Sequence, residues 1–385
     1  MDAAAVLLVL WLLPATGAAL YYFALTLFGW ATPRHSPAAT PGLHLTVLIP
    51  AHDEEHTLPG AIRAAFASDY PGHLRRVVVV ADNCTDGTAA VARRLGAACV
   101  ERSDDSRRGK GFALAFGFRH VLRTATDAVV VVDADCEFAP QSLRRLAAAL
   151  EAGAQAAQAA VLTRNPRMQP AGLVAGVGGQ LENAVAAGLD RLGVAAGLRG
   201  TGMAFRRGVL EAHPWDAFGL TEDAEYAGRL RRAGVGVRFV LNAEVFSEAP
   251  PTADAFGVQR RRWRGALSAS GRGPAHALSG SKPLVLAQLA LTVAGAAAAW
   301  HWLWPPLGPA AAAWCGVLEA MTALPYVYAV RRGGYATGGW VGVARSALLT
   351  ARLVGVTLGG AVRRGNGWQR TPRAAGPRVP AGGRA

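Results

Sequence analysis

Ala128-Val129-Val130-Val131-Val132-Asp133-Ala134-Asp135 is the stretch on which the fold turns. A continuous run of β-branched residues ends in two carboxylates that flank one alanine. Unbroken apolar character, without polar alternation, is the pattern of a strand covered on both faces of a parallel sheet. The pattern recurs upstream. Residues 45–50 run into His52-Asp53-Glu54, and residues 76–81 run into Asp82-Asn83. Helical patterns separate these runs, at 56–68, 85–96 and 109–124. Strands alternating with helices predict an α/β domain with a mostly parallel sheet over residues 43–275. Ligands of such sheets bind outside the carboxyl ends of the strands. That places Pro50, His52, Asp53, Glu54, Asp82, Asp133 and Asp135 along one edge, although they are distant in sequence.

Outside this stretch the chain turns apolar. Residues 4–30 carry no charge and are long enough to span a bilayer. A signal peptide is the competing reading, with a small-residue region at Ala15-Thr16-Gly17-Ala18-Ala19. No Lys or Arg precedes the run, however, and its hydrophobicity continues to Trp30. The first positive charge, Arg34, follows the segment, which predicts an outside N-terminus and a cytosolic catalytic region. Two further spans are expected at 283–304 and 307–330. Residues 339–362 carry Arg345 and Arg352 and read as an amphipathic helix lying in the interface, in preference to a fourth span. A basic cytosolic tail follows at 363–385. The 385-residue chain has a formal charge of +14, and ten arginines follow its last acidic residue, Glu319. Placed beside apolar segments, this excess points to an anionic membrane surface and away from nucleic acid. Glu319 itself sits inside an expected span, where a carboxylate is costly. Cys84, Cys99, Cys136 and Cys315 lack metal-ligand spacing and read as buried thiols of a reducing compartment.

The polar residues carry a consistent chemistry. Asp133 and Asp135, emerging from one strand end, offer hard oxygen ligands to a divalent cation that also holds diphosphate oxygens. The competing reading is a helix cap, because a helix is expected from about Pro140. Asp82, one step beyond its strand, is a candidate contact for a base or ribose. Pro50, His52 and Glu54 are candidates for the same donor, although one of the His52–Glu54 group is expected to cap the next helix. Asp86 reads as a turn or cap residue. Lys110, between Gly109 and Gly111 at a helix start, suits a phosphate, without the spacing of a P-loop. Gly200-Thr201-Gly202 forms a glycine-rich loop suited to the close approach of a sugar acceptor. Thr221 is the expected N-cap of a helix whose first turn holds Glu222 and Asp223. Attraction to the helix dipole would explain both acids. The glycine-rich loop before them makes Asp223 the preferred general base, ahead of His213. Gln259-Arg260-Arg261-Arg262-Trp263 precedes an expected span and suits a pyrophosphate clamp, Gln259 and Arg262 binding donor and Trp263 offering a face to a sugar. A generic juxtamembrane basic stretch is the alternative.

With these motifs in this order, the chain resembles the inverting family 2 glycosyltransferases. The likeness is to the membrane-integrated group that includes cellulose, hyaluronan and poly-N-acetylglucosamine synthases and ceramide glucosyltransferases. Gln259, Arg262 and Trp263 match its Q-x-x-R-W element, and Gly367-Trp368-Gln369-Arg370-Thr371-Pro372-Arg373 looks like the end of several such enzymes. The resemblance implies a GT-A-like fold with flanking transmembrane helices. It also implies a nucleotide diphosphate sugar donor, read as a UDP-sugar, and Mg²⁺ or Mn²⁺ as cofactor. Asp82 and Glu54 would bind the nucleoside, Asp133 and Asp135 the diphosphate and metal, and Asp223 would be the base. The acceptor would be a lipid, a lipid-linked glycan or a polysaccharide. Polymer secretion requires more spans than this chain offers, hence a partner membrane subunit. A nucleotide-sugar nucleotidyltransferase would share the metal-binding sheet but would need neither Gln259–Trp263 nor membrane spans.

Overall fold

The three apolar runs are neighbouring strands. In the computed structural model, which describes residues 3–31, 41–164, 170–248 and 308–332, they form β1 (Leu45–Ala51), β2 (Arg75–Asp82) and β4 (Ala128–Val131). With β3 (Ala98–Arg102), β5 (Cys136–Phe138), β6 (Ala156–Thr163), β7 (Met203–Arg206) and β8 (Val237–Ser247) they make one sheet of order β3-β2-β1-β4-β7-β6-β8-β5. β3, β2, β1 and β4 are parallel. β7 runs antiparallel to both neighbours, β6 and β8 are parallel, and β5 is antiparallel to β8. The sheet is therefore mostly parallel, as expected, with two short antiparallel strands that the sequence pattern did not announce. Strand order reverses between β1 and β4, which opens a crevice at their carboxyl ends.

The reason for the apolar runs is visible in their burial. Val77–Val80 and Val129–Val132 are all at most 2 % exposed. Helices α2 (Leu58–Ala67), α3 (Thr88–Arg94), α4 (Lys110–Val121) and α5 (Ser142–Glu151) supply the cover. Leu58 and Ile62 of α2 and Leu143, Leu146 and Leu150 of α5 are fully buried. α4 lies close on its side of the sheet because Gly117 has no side chain. A Cβ there would meet Val80 Cγ2 at 2.8 Å and Leu48 Cδ1 at 2.9 Å. Two short helices, α7 (Arg207–Ala212) and α8 (Glu222–Arg232), complete this unit, which comprises residues 32–164 and 189–248.

A second compact unit gathers residues 1–31, 165–188 and 249–385. Its described helices are α1 (Ala3–Trp30), most of α6 (Pro170–Arg191) and α9 (Gly308–Arg332). Residues 165–188, inside the stretch read as one domain, thus group with the terminal helices. α1 has 28 residues and no charge. α1 and α6 cross with backbones in contact. A Cβ on Gly29 would lie 1.8 Å from the Ala184 carbonyl oxygen, and one on Gly188 would lie 2.1 Å from that of Leu25. Trp30 packs on Tyr328 of α9 with ring centroids 3.8 Å apart, and Trp314 Nε1 donates to Thr16 Oγ1 at 3.2 Å. Among the described residues, Ala313–Val330 is long and apolar enough to cross a membrane. The expected segments 283–304, 339–362 and 363–385 lie outside the described residues.

All four cysteines are free. Cys136 and Cys315 are buried as expected, whereas Cys84 and Cys99 are half-buried, because the first follows β2 in a loop and the second lies on the edge strand β3.

Candidate active site

Asp133 and Asp135 emerge where β4 ends, and the helix-cap alternative fails on distance in sequence. The next helix starts at Ser142, with Gln141 at its N-cap. The Asp133 N–H donates to Thr201 Oγ1 at 3.2 Å, and the Cys136 N–H closes a turn on the Asp133 carbonyl at 3.0 Å. Ligand atoms of Asp133, Asp135 and Cys136 all lie within 4.8 Å of one another. Burial, then the two acids, pushes the Cys136 thiol well above its usual range, so it stays protonated. Two carboxylates beside a protonated thiol form a hard oxygen donor set, which fits Mg²⁺ or Mn²⁺ and suits a soft thiophilic ion poorly.

Lys110 is the hub of the site. Its Nζ lies 2.5 Å from Asp133 Oδ1, donates to the Gly200 carbonyl at 2.8 Å and stands 3.8 Å from Glu222 Oε1. The lysine expected to meet a phosphate therefore also joins three segments: the β4 end, the glycine-rich loop and the start of α8. Burial opposes its charge, but Asp133, Glu222 and Asp223 together outweigh that cost and raise its pKa. Glu222 is buried and pushed up to about 7, chiefly by loss of solvent, with Lys110 opposing and Asp223 adding to the rise. Burial likewise raises Asp223, against the pull of Lys110.

The loop 200–202 owes its path to two glycines. Gly200 (φ 78°) and Gly202 (φ 68°) occupy the left-handed region. A side chain at Gly200 would press on Lys110 Nζ at 3.1 Å and Asp223 Oδ2 at 3.6 Å. The Gly202 N–H donates to the Val131 carbonyl at 2.8 Å. Gln158, fully buried in β6, gives its amide N–H to the Thr201 carbonyl at 2.8 Å and accepts the Arg199 N–H at 3.0 Å. Thr221 precedes α8 as expected, but its side chain makes no capping bond. The Ala224 N–H is taken instead by Asp223 Oδ1 at 2.7 Å. α8 is anchored from below, where Tyr226 packs on Trp215 at 4.4 Å and its hydroxyl donates to the His213 carbonyl at 2.5 Å. Of the two candidate bases, Asp223 is the one placed beside Lys110 and Gly200.

The other end of the edge is built from β1, β2 and β3. Asp53 and Asn83, both at φ 51°, turn the chain sharply after β1 and β2. Asp53 Oδ1 accepts the Thr85 N–H at 2.7 Å, and Glu55 Oε2 accepts that of Gly87 at 2.9 Å, tying the two loops together. Asp86 accepts the Thr88 N–H at 2.9 Å, the turn role its position suggested. His52 Nδ1 meets the Asp82 carbonyl at 2.8 Å. None of His52, Asp53 and Glu54 caps α2 with its side chain: Thr57 holds the N-cap position without a side-chain cap bond, and the Glu54 carboxylate accepts the Thr57 hydroxyl. Pro50 lies buried within β1, in register with Val80 of β2. Gln259, Arg262 and Trp263 lie outside the described residues. Sequence reasoning missed Gln158, Arg102 and the site role of Glu222. Arg102 is the basic last residue of β3, in register with Asp82 at the end of β2.

Comparison with known proteins follows this geometry. A family model described as "Glycosyltransferase like family 2" matches residues 41–266. The beta-monoglucosyldiacylglycerol synthase of Synechocystis sp. is 30 % identical over 274 residues, which cover 66 % of this chain and 55 % of that protein. The polyprenol monophosphomannose synthase of Mycolicibacterium smegmatis is 35 % identical over 115 residues, 29 % of this chain and 42 % of its own. The chain spans about half the length of the curated relatives it matches. Among solved structures, the mannosyltransferase PcManGT from Pyrobaculum calidifontis, in complex with GDP-Man and Mn²⁺, has a TM-score of 0.56 at 20 % identity. That likeness covers 91 % of this chain and 95 % of the other, and it is a likeness of fold.

Proposed function

The chain belongs to glycosyltransferase family 2, and from that premise we propose that it moves a sugar from a nucleoside diphosphate sugar to a lipid or lipid-linked acceptor at the cytosolic face of a membrane. A UDP-sugar is the working donor. One observation carries the reading: Lys110 holds Asp133, the Gly200 carbonyl and the first turn of α8 within one cluster. The nucleoside is assigned to Asp82, with His52 and Glu54 supporting that end of the edge, and the diphosphate to Lys110 and Asp133. Mg²⁺ or Mn²⁺ held by Asp133 and Asp135 would supply positive charge to the departing diphosphate.

Asp223 takes the proton of the acceptor hydroxyl while that oxygen attacks the anomeric carbon. The bond to the diphosphate breaks on the opposite side, so the configuration inverts. Loss of solvent makes Asp223 a stronger base than an exposed aspartate, and Lys110 favours its ionised form. Gly200, Thr201 and Gly202 provide the acceptor's approach. Gln259, Arg262 and Trp263 are assigned to the diphosphate and the sugar face on sequence grounds. Two relatives named for lipid products favour a lipid acceptor. The uncharged α1, the apolar Ala313–Val330 and the arginine-rich C-terminal sequence favour a membrane location.

The test is Asp223→Asn in the full chain, with donor affinity and turnover measured separately. A base should cost at least about a hundredfold in turnover with donor binding kept. Turnover close to that of the wild type would remove Asp223 from the chemistry.

A further inference from the structure

Arg102 is tied to more partners than a surface arginine requires. It ends β3 opposite Asp82 in the parallel register, and its side chain is only 9 % exposed. Nη1 lies 2.5 Å from Asp82 Oδ1. Nη2 reaches Asp104 Oδ2 at 3.0 Å and the Arg107 carbonyl at 2.8 Å. The guanidinium stands 5.7 Å over the Phe112 ring, which stacks on Phe218 at 4.4 Å. Asn83 donates to the same oxygen of Asp82 at 3.3 Å. Among the described residues, both donors to this carboxylate thus act on Oδ1. The other oxygen is left as the acceptor that a ligand N–H or hydroxyl would use.

We propose that Arg102 is a positioning residue for the donor nucleoside, fixing the orientation of the Asp82 carboxylate. The inference rests on the assignment of Asp82 to the nucleoside. A planar fork with donors on two nitrogens holds two carboxylates and a carbonyl in fixed relation, and a lysine ammonium cannot reproduce that geometry. Arg102 acts through Asp82, so its loss should weaken recognition of the nucleoside and spare that of the phosphates.

The experiment measures binding of UDP, of GDP and of inorganic pyrophosphate to the full chain in Mn²⁺, using the nucleotide the wild type binds more tightly. Arg102→Lys should weaken that nucleotide by at least about tenfold, with pyrophosphate affinity unchanged. In turnover assays the donor KM should rise by a similar factor while kcat holds. Removing one partner of a buried pair endangers folding, so Asp82→Asn and Asp82→Asn/Arg102→Gln, which leaves no buried charge unpaired there, are measured beside it. The double variant should bind the nucleotide no worse than Asp82→Asn alone. Equal weakening of nucleotide and pyrophosphate by Arg102→Lys, or no weakening of either, overturns the proposal. So does a double variant much weaker than Asp82→Asn. If Asp82→Asn itself leaves nucleotide binding intact, or the wild type binds neither nucleotide, the underlying assignment fails as well.

Discussion

Glu222→Gln should make the metal-free protein more stable at neutral and alkaline pH, and the gain should grow with pH. In the fold the Glu222 carboxyl is pushed up to about 7, against an ordinary value of 4.5. A group whose pKa is raised by folding contributes stability that is complete below its unfolded pKa and lost as pH rises through the folded one. The window is therefore pH 4.5 to 7. A shift of this size corresponds to on the order of 3 kcal/mol across that window. Lys110, 3.8 Å away, pulls the Glu222 carboxyl down, but loss of solvent outweighs that pull. Glutamine keeps the shape and cannot ionise. Measured by thermal melting of the full chain in EDTA, from pH 5 to pH 8, the variant should gain on the wild type by roughly 5–10 °C, taking about 2–4 °C per kcal/mol. The buried Trp215, beside Tyr226 of α8, reports through its fluorescence. The difference between the two proteins is the readout, since other titrating groups are common to both. Parallel curves, or a gain that shrinks as pH rises, would refute the burial argument.

The metal assignment predicts that EDTA abolishes transfer, that Mn²⁺ or Mg²⁺ restores it, and that Asp135→Ala loses both transfer and measurable Mn²⁺ binding; full activity of that variant in chelator would sink the assignment. For the basic-aromatic segment, Arg262→Lys and Trp263→Ala should leave the protein in the membrane fraction while most transfer is lost, because Lys lacks the planar fork and Ala lacks the face. Near-normal transfer by both would reduce the segment to electrostatic anchoring.

The part of this molecule that the sequence reveals is the part governed by local chemistry. Strands covered on both faces must be apolar throughout, so β1, β2 and β4 stand out with their bounds nearly correct, and the polar residues at their ends mark the ligand edge. The antiparallel β7 and β5 leave no such trace, because four and three residues are too short to show a period. β6 is hidden for another reason. Its Ala156-Ala157-Gln158-Ala159-Ala160 core has weak β-propensity, and it is a strand because its neighbours hold it there. The site divides along the same line. That Asp133 and Asp135 are not caps follows from counting to the next helix. That Lys110 meets Asp133, or that Arg102 meets Asp82, depends on strand order and register, which bring residues 23 and 20 positions apart within 2.5 Å. Glu222 is the instructive case. An acid in the first turn of a helix satisfies the helix dipole whether exposed or buried, so its position alone assigns it no more than that. Burial beside Lys110 is what separates a group titrating near neutrality from a dipole partner, and that burial is set by tertiary packing, which the local sequence does not show. Tyr226, one turn further along α8, is buried and packed on Trp215, which ties the helix to the core through uncharged rings.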